Sequence, residues 1–285
     1  MGFKFFERFF KFVSPWADFD FKEGRAGAQR LRGFLIRLYH WSQREFAIRY
    51  APVIRELRKR PKEYANILEV GSGSMGLTRY TKRQIVGVDL STQGPRFENM
   101  CLVRADASAL PFADRSFDLV VSTDVLEHLP QDVRRRAVKE LLRVANKKIF
   151  LGFPSGVVAL RWEKKVFDRF QKKTIEWRGT AKGLEDYRSR FWYLGEHAQC
   201  GLPDEESVRQ CLRASTENFD RDYRVSVIDN ESVLIWYLAV TRMINGSYLR
   251  WLLITLLYII FYPLISRATW PCSYRKIFII ERIAA

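Results

Sequence analysis

Residues 71–76 read Gly71-Ser72-Gly73-Ser74-Met75-Gly76, which has the form G-x-G-x-x-G. Glycines at such spacing let a ligand approach backbone N–H groups. Asp89 follows at about the distance of an acid that accepts hydrogen bonds from ribose hydroxyls. That chemistry is common to nucleotide sites and serves a nicotinamide cofactor equally well. Glu69 stands two residues before Gly71 and extends the pattern to Glu-x-Gly-x-Gly. A further acid, Asp106, lies in Ala105-Asp106-Ala107-Ser108-Ala109-Leu110-Pro111-Phe112, placed to meet an adenine amino group. Downstream, the run from Ser116 to Pro130 carries Thr123, Asp124, Glu127 and His128, and Gly195-Glu196-His197 brings another imidazole. An imidazole titrates near neutrality and can serve as a general base; helix closure or an ordinary polar contact accounts for either histidine as well. Asp204, Glu205 and Glu206 read as a helix start. Cys101, Cys200, Cys211 and Cys272 form no C-x-x-C pair, and neither a serine-hydrolase constellation nor a metal-ligand spacing is evident, so no metal is expected.

These residues need elements to position them. Short apolar runs at 67–70, 85–89, 100–103, 117–122 and 149–153 read as strands, and a helical pattern over 131–144 separates the last two. Strands alternating with helices predict an α/β fold with a doubly wound parallel sheet. The link between the second and third strands is too short for a crossover helix and is expected to be a loop. Residues 223–228 and 276–282 read as two late strands.

In order and spacing, Glu69-x-Gly71-x-Gly73, Asp89, the Asp106-Ala107 to Leu110-Pro111-Phe112 run, Ser116-Phe117-Asp118 and Leu126-Glu127-His128 resemble the class I S-adenosylmethionine-dependent methyltransferases, in particular the small-molecule and lipid type. The resemblance covers about residues 66–154, and residues 274–280 resemble that fold's antiparallel final strand. It implies a mostly parallel seven-stranded Rossmann-like sheet and S-adenosyl-L-methionine as cofactor. It further implies that Glu69, Gly71, Ser72 and Gly73 line the methionine half of the cofactor. Asp89 holds the ribose, Leu90 lies against adenine, Asp106 bonds adenine with Ala107 beside it, and Thr123 and Asp124 face the sulfonium. Asp124, His128 and His197 are the candidate catalytic bases. Met75 stands where the family commonly has glycine, and the Asn/Asp-Pro-Pro-Tyr motif of amino-directed enzymes is replaced by Thr123-Asp124-Val125-Leu126, which favours oxygen or carbon acceptors.

The rest of the chain bears on where such chemistry occurs. Of 285 residues, 48 are Lys or Arg and 32 Asp or Glu, a net charge of +16. Such an excess favours polyanionic partners, nucleic acid or an anionic membrane face. Half of it falls within residues 1–66. Residues 2–13 read as a helix with Lys4, Glu7, Arg8 and Lys11 on one face and phenylalanines over the rest, a pattern suited to a membrane interface. Residues 26–60 also read as helical. The runs 233–241 and 251–266 are uncharged, too short to span comfortably, and rich in tryptophan and tyrosine. The expected organisation is a basic helical region over 1–65 and a methyltransferase domain over 66–285. The latter includes a substrate-region insertion at 155–222 and an apolar membrane-associating insertion at 233–270. The expected function is methyl transfer at a membrane surface to a lipid, lipid-linked glycan or quinone-like acceptor, with membrane lipids as partners and nucleic acid less favoured. The expected location is cytoplasmic, peripheral or monotopic at the inner face of the membrane. An RNA methyltransferase, a nicotinamide oxidoreductase and a non-catalytic membrane scaffold are the alternatives. The four cysteines read as reduced structural thiols, and neither a signal peptide nor a good myristoylation signal is read at the start.

Overall fold

Every residue of the first strand is buried, including Glu69, as a strand covered on both faces requires. The computed structural model describes residues 44–94, 96–176, 193–241, 264, 267–270 and 272–283. The elements that build the sheet are α1 (Arg44–Lys59), β1 (Ile67–Val70), β2 (Ile85–Asp89), β3 (Met100–Arg104), β4 (Phe117–Thr123), α2 (Gln131–Val144), β5 (Ala145–Pro154), α3 (Gly156–Glu176), α4 (Glu205–Arg213), α5 (Phe219–Asp222), β6 (Tyr223–Ser232), α6 (Val233–Thr241) and β7 (Ser273–Arg282). The seven strands lie in the order β3-β2-β1-β4-β5-β7-β6. The pairs from β3 through β5 are parallel, whereas β7 runs antiparallel to both β5 and β6. The sheet is therefore mixed, with the antiparallel strand at the place expected for it. Between β2 and β3 the described residues form no helix.

Both faces are covered, as alternation along β4 dictates. Val120 points into a core with Leu68, Leu126, Leu141 and Leu151, closed by Val208 and Leu212 of α4. Leu119 and Val121 point into the opposite core, closed by Tyr50, Val53 and Leu57 of α1. A third cluster joins Ala159 and Val166 of α3 to Val233 and Trp236 of α6 and Tyr274 of β7.

Several strands outrun their apolar cores. β5 begins four residues before the expected 149, because Ala145 leaves α2 directly in extended geometry. β6 and β7 continue as a ladder through Asp229, Asn230 and Ser273. These polar positions sustain pairing because Asp229 accepts from Ser273 Oγ at 2.8 Å and meets Lys276 Nζ at 2.6 Å.

The described start of the expected apolar insertion is part of the domain's own packing. α6 buries Val233, Trp236, Ala239 and Val240, and Trp236 stacks on Tyr274 with ring centroids 4.2 Å apart. Residues 242–263, the expected helix 2–13 and the first part of the stretch 26–60 lie outside the described residues. Among the described residues no helix is long and apolar enough to cross a membrane.

Candidate active site at the carboxyl ends of the parallel strands

The loop after β1 is drawn across the sheet edge by backbone bonds, Gly71 and Ser72 N–H donating to Val88 C=O at 2.8 and 3.2 Å. Gly71 takes φ 76°, and a Cβ there would run into Val125. Gly73 takes φ 56°, but a Cβ on it would meet nothing within 4 Å among the described residues. The backbone therefore lies open at the point where the resemblance places the cofactor. Asp89 faces the same loop: its Oδ2 accepts from Gly73 N–H at 2.8 Å and its Oδ1 from Ser91 N–H at 3.0 Å. Leu90 follows it, 65% exposed, an apolar surface available to a planar base. Asp106 uses Oδ1 to accept from Ser108 N–H and Oγ–H at 2.7 and 2.8 Å, which holds its carboxyl below the ordinary value. Ala107 packs on the core beside it.

Glu69 braces the loop from beneath. It is 1% exposed and accepts from Tyr50 O–H at 2.6 Å and Leu77 N–H at 2.7 Å. Burial raises its carboxyl above the ordinary range, against the lowering effect of those two bonds. Met75, which replaces a common glycine, has φ −129°. That conformation is open to any residue, so the replacement leaves the loop unstrained; the positive φ falls on Gly76 instead, beside Glu69.

Asp124 stands where β4 ends, with its backbone at φ 57°, a strained setting for a residue other than glycine. Two arginines hold it there. Arg275 of β7 donates from Nε at 2.7 Å and from Nη2 at 2.9 Å, and Arg49 of α1 donates from Nη1 at 2.9 Å. Arg275 also donates to buried Glu231 at 2.6 Å. Although burial opposes it, the two guanidinium charges hold the Asp124 carboxyl far below the usual range. The expectation of Asp124 as a base is therefore revised: a carboxylate so stabilised is a poor proton acceptor, and it anchors the strand end instead. Thr123, beside it, is buried against the Tyr50 phenol.

The structure brings His128 and His197 together, with ring centroids 4.8 Å apart. His128 sits on the short turn Leu126–His128 and His197 on a helical segment over 193–200. Arg134 ties the two segments, donating from Nε to Leu126 C=O at 2.7 Å and from Nη2 to the carbonyls of Cys200 and Gly201. Each imidazole pairs through Nδ1 with a carboxylate, His128 with Glu196 at 2.8 Å and His197 with Glu163 at 2.9 Å. Tyr274 O–H donates to the same Glu163 oxygen at 2.7 Å. Burial, and next the neighbouring His197, lower the His128 imidazole below its ordinary value. Glu127 is wholly buried, and among the described residues neither of its oxygens has a hydrogen-bond partner. Burial first, then the Asp124 charge, raise its carboxyl well above the ordinary value.

Sequence reasoning missed Glu127, Glu163, Glu196, Tyr50, Arg49 and Arg275 as parts of this site. Glu127 adjoins His128 and Arg275 adjoins the final-strand tyrosine, so both carried a local signal. Glu196 adjoins His197 in the same way, whereas Glu163, Tyr50 and Arg49 meet the site only through the fold.

Residues 68–151 match the family described as a methyltransferase domain. The chain is 30% identical over 152 residues to tocopherol O-methyltransferase, chloroplastic, of Arabidopsis thaliana, covering 45% of this chain and 42% of that protein. It is 57% identical over 44 residues to a putative methyltransferase of Encephalitozoon cuniculi, covering 15% and 21%. The chain thus spans less than half the length of the curated relatives it matches. The fold is shared with the plantazolicin methyltransferase BamL, solved with a triazolic desmethylPZN analogue and S-adenosylhomocysteine. That likeness has a TM-score of 0.51 and 14% identity, covering 86% of this chain and 89% of that one.

Proposed function

We propose that residues 68–151, which match the methyltransferase-domain family, form a class I S-adenosylmethionine-dependent methyltransferase domain, and that the chain transfers methyl to a lipid, lipid-linked glycan or quinone-like acceptor at a membrane surface. The observation that carries the membrane part is a set of exposed apolar side chains on two helices packed against each other. Val157, Val158 and Leu160 of α3 and Leu234 and Leu238 of α6 face solvent, as does Trp270, 81% exposed. In sequence, Leu234 and Leu238 precede and Trp270 follows the uncharged run 251–266. Apolar surface of this kind, on a chain of net charge +16, suits contact with an anionic bilayer face.

S-adenosylmethionine supplies a methyl group on a sulfonium, which departs as a neutral thioether. The chain's task is then alignment and exclusion of water. The open backbone at Gly73 and the carboxylates of Asp89 and Asp106 would hold the nucleoside, with Leu90 offering an apolar surface to its base. Asp124, clamped by Arg49 and Arg275, fixes the end of β4 and takes no proton. As the acceptor oxygen takes the methyl group, its proton would pass to an imidazole, His128 on the turn after β4 or His197 beside it.

The test supplies methyl-labelled S-adenosylmethionine and the purified full chain to a cell membrane fraction. Label is expected in the organic-solvent extract as a discrete product. Label found solely in RNA would refute the reading.

A further inference from the structure

We propose that Glu127, His128 and His197 together bind one first-row divalent transition-metal ion, Zn2+ by its ligand preferences. The three side chains each offer one ligand atom, and these atoms lie within 4.8 Å of one another. Around a tetrahedral ion with bonds of about 2.1 Å the ligand atoms stand about 3.4 Å apart. Side-chain rotations on the order of 1 Å close that difference.

Four features distinguish this cluster from an ordinary group of buried polar residues. First, both imidazoles commit Nδ1 to a carboxylate, His128 to Glu196 and His197 to Glu163. That orients each ring and, in His197, directs Nε2 into the cluster, as in metal sites where an outer carboxylate fixes the histidine tautomer. Second, the Nε2 of His197 is buried without a hydrogen-bond partner among the described residues. Third, both oxygens of wholly buried Glu127 lack one as well. Unsatisfied polar atoms from two residues in one place are unusual in a folded chain, and an ion satisfies them at once. Fourth, the scaffold is built: Arg134 binds the Leu126 carbonyl and the Cys200 and Gly201 carbonyls, holding the two histidine-bearing segments in register. Tyr274 secures Glu163 from β7.

Two nitrogens and one oxygen suit Zn2+, Co2+ or Mn2+ and not Mg2+ or Ca2+, which prefer oxygen throughout. Three protein ligands leave a position for an oxygen from outside the protein. The use of that position by a methyl acceptor rests on the function proposed above; ion binding itself does not.

The experiment strips the full chain with a chelator, dialyses it against Zn2+ or Co2+, and measures bound metal by elemental analysis. Wild type is expected to retain about one ion per chain, and the Co2+ form to show visible d–d absorption. E127Q, nearly isosteric, is expected to shift that absorption and weaken affinity at least tenfold. H197Q should do the same, and E163Q, which acts through His197, should weaken it by about tenfold. If H197Q fails to fold, E127Q decides. Wild type taking up no ion, or equal uptake by wild type and E127Q, would overturn the site and leave the methyl-transfer reading intact. Ion binding without any methyl transfer would do the reverse.

Discussion

Arg275 grips Asp124 through Nε and Nη2 at 2.7 and 2.9 Å, so the antiparallel strand β7 locks the residue at which the parallel strand β4 ends. The pair is largely buried, and Arg49 adds a third bond at 2.9 Å. The carboxylate remains ionised in the folded chain where an unfolded one begins to take up protons, near pH 4. Its contribution is therefore complete above that pH and is lost as pH falls through the lower folded value. Asp124→Asn leaves Arg275 with Glu231 as its counter-charge among the described residues and should cost about 3–5 kcal/mol. Urea unfolding at neutral pH checks the loss. Repetition toward pH 3 should show the gap between variant and wild type closing.

Glu127 has the opposite sign. Its carboxyl is raised by burial and by the Asp124 charge, so above about pH 4.5 the folded chain holds a proton that the unfolded chain has released. Stability then falls as pH rises across that window. In the presence of a chelator, Glu127→Gln should gain on wild type as pH goes from about 5 to about 8. Glu69 is raised as well, so the diagnostic quantity is the difference between variant and wild type in parallel denaturant titrations.

Much of the scaffold was legible, because strand and helix periodicities are local. The helix over 131–144 has the bounds read from its pattern. The glycine loop, Asp89 and Asp106 occupy one end of the sheet, since each follows a parallel strand. What stayed hidden was the work done by contacts distant in sequence. Asp124 meets Arg49 across 75 positions and Arg275 across 151, and nothing in the run Thr123-Asp124-Val125-Leu126 announces that its carboxylate is already occupied. Glu127 stands in the sequence only as part of the Leu126-Glu127-His128 motif; its complete burial sets it apart from an ordinary surface acid.

The two glycines of the loop should separate fold from binding. Gly71→Ala places a methyl against Val125 at a positive φ and should destabilise the domain by more than the about 1–2 kcal/mol of the backbone term alone. Gly73→Ala meets no neighbour, so its cost should be limited to that term while its methyl intrudes on the open loop. Thermal melts are expected to rank Gly71→Ala below Gly73→Ala. Calorimetric titration should find S-adenosylhomocysteine bound at least tenfold more weakly by Gly73→Ala than by wild type.

Tyr50 reaches from α1 to Glu69 under the same loop. Tyr50→Phe removes one of the two donors to a buried carboxyl and should cost about 1–3 kcal/mol. A shift of the urea midpoint with an unchanged slope would check it.

The central claim is that the open loop beside Asp89 accepts S-adenosylmethionine. Isothermal titration of the purified full chain with S-adenosylhomocysteine and, separately, NADH tests it most directly. The expected result is one S-adenosylhomocysteine per chain and no heat from NADH, with binding by Asp89→Ala weakened by about 10- to 100-fold for the lost charged hydrogen bonds. Saturable NADH binding, abolished by Asp89→Ala, with no response to S-adenosylhomocysteine, would contradict it.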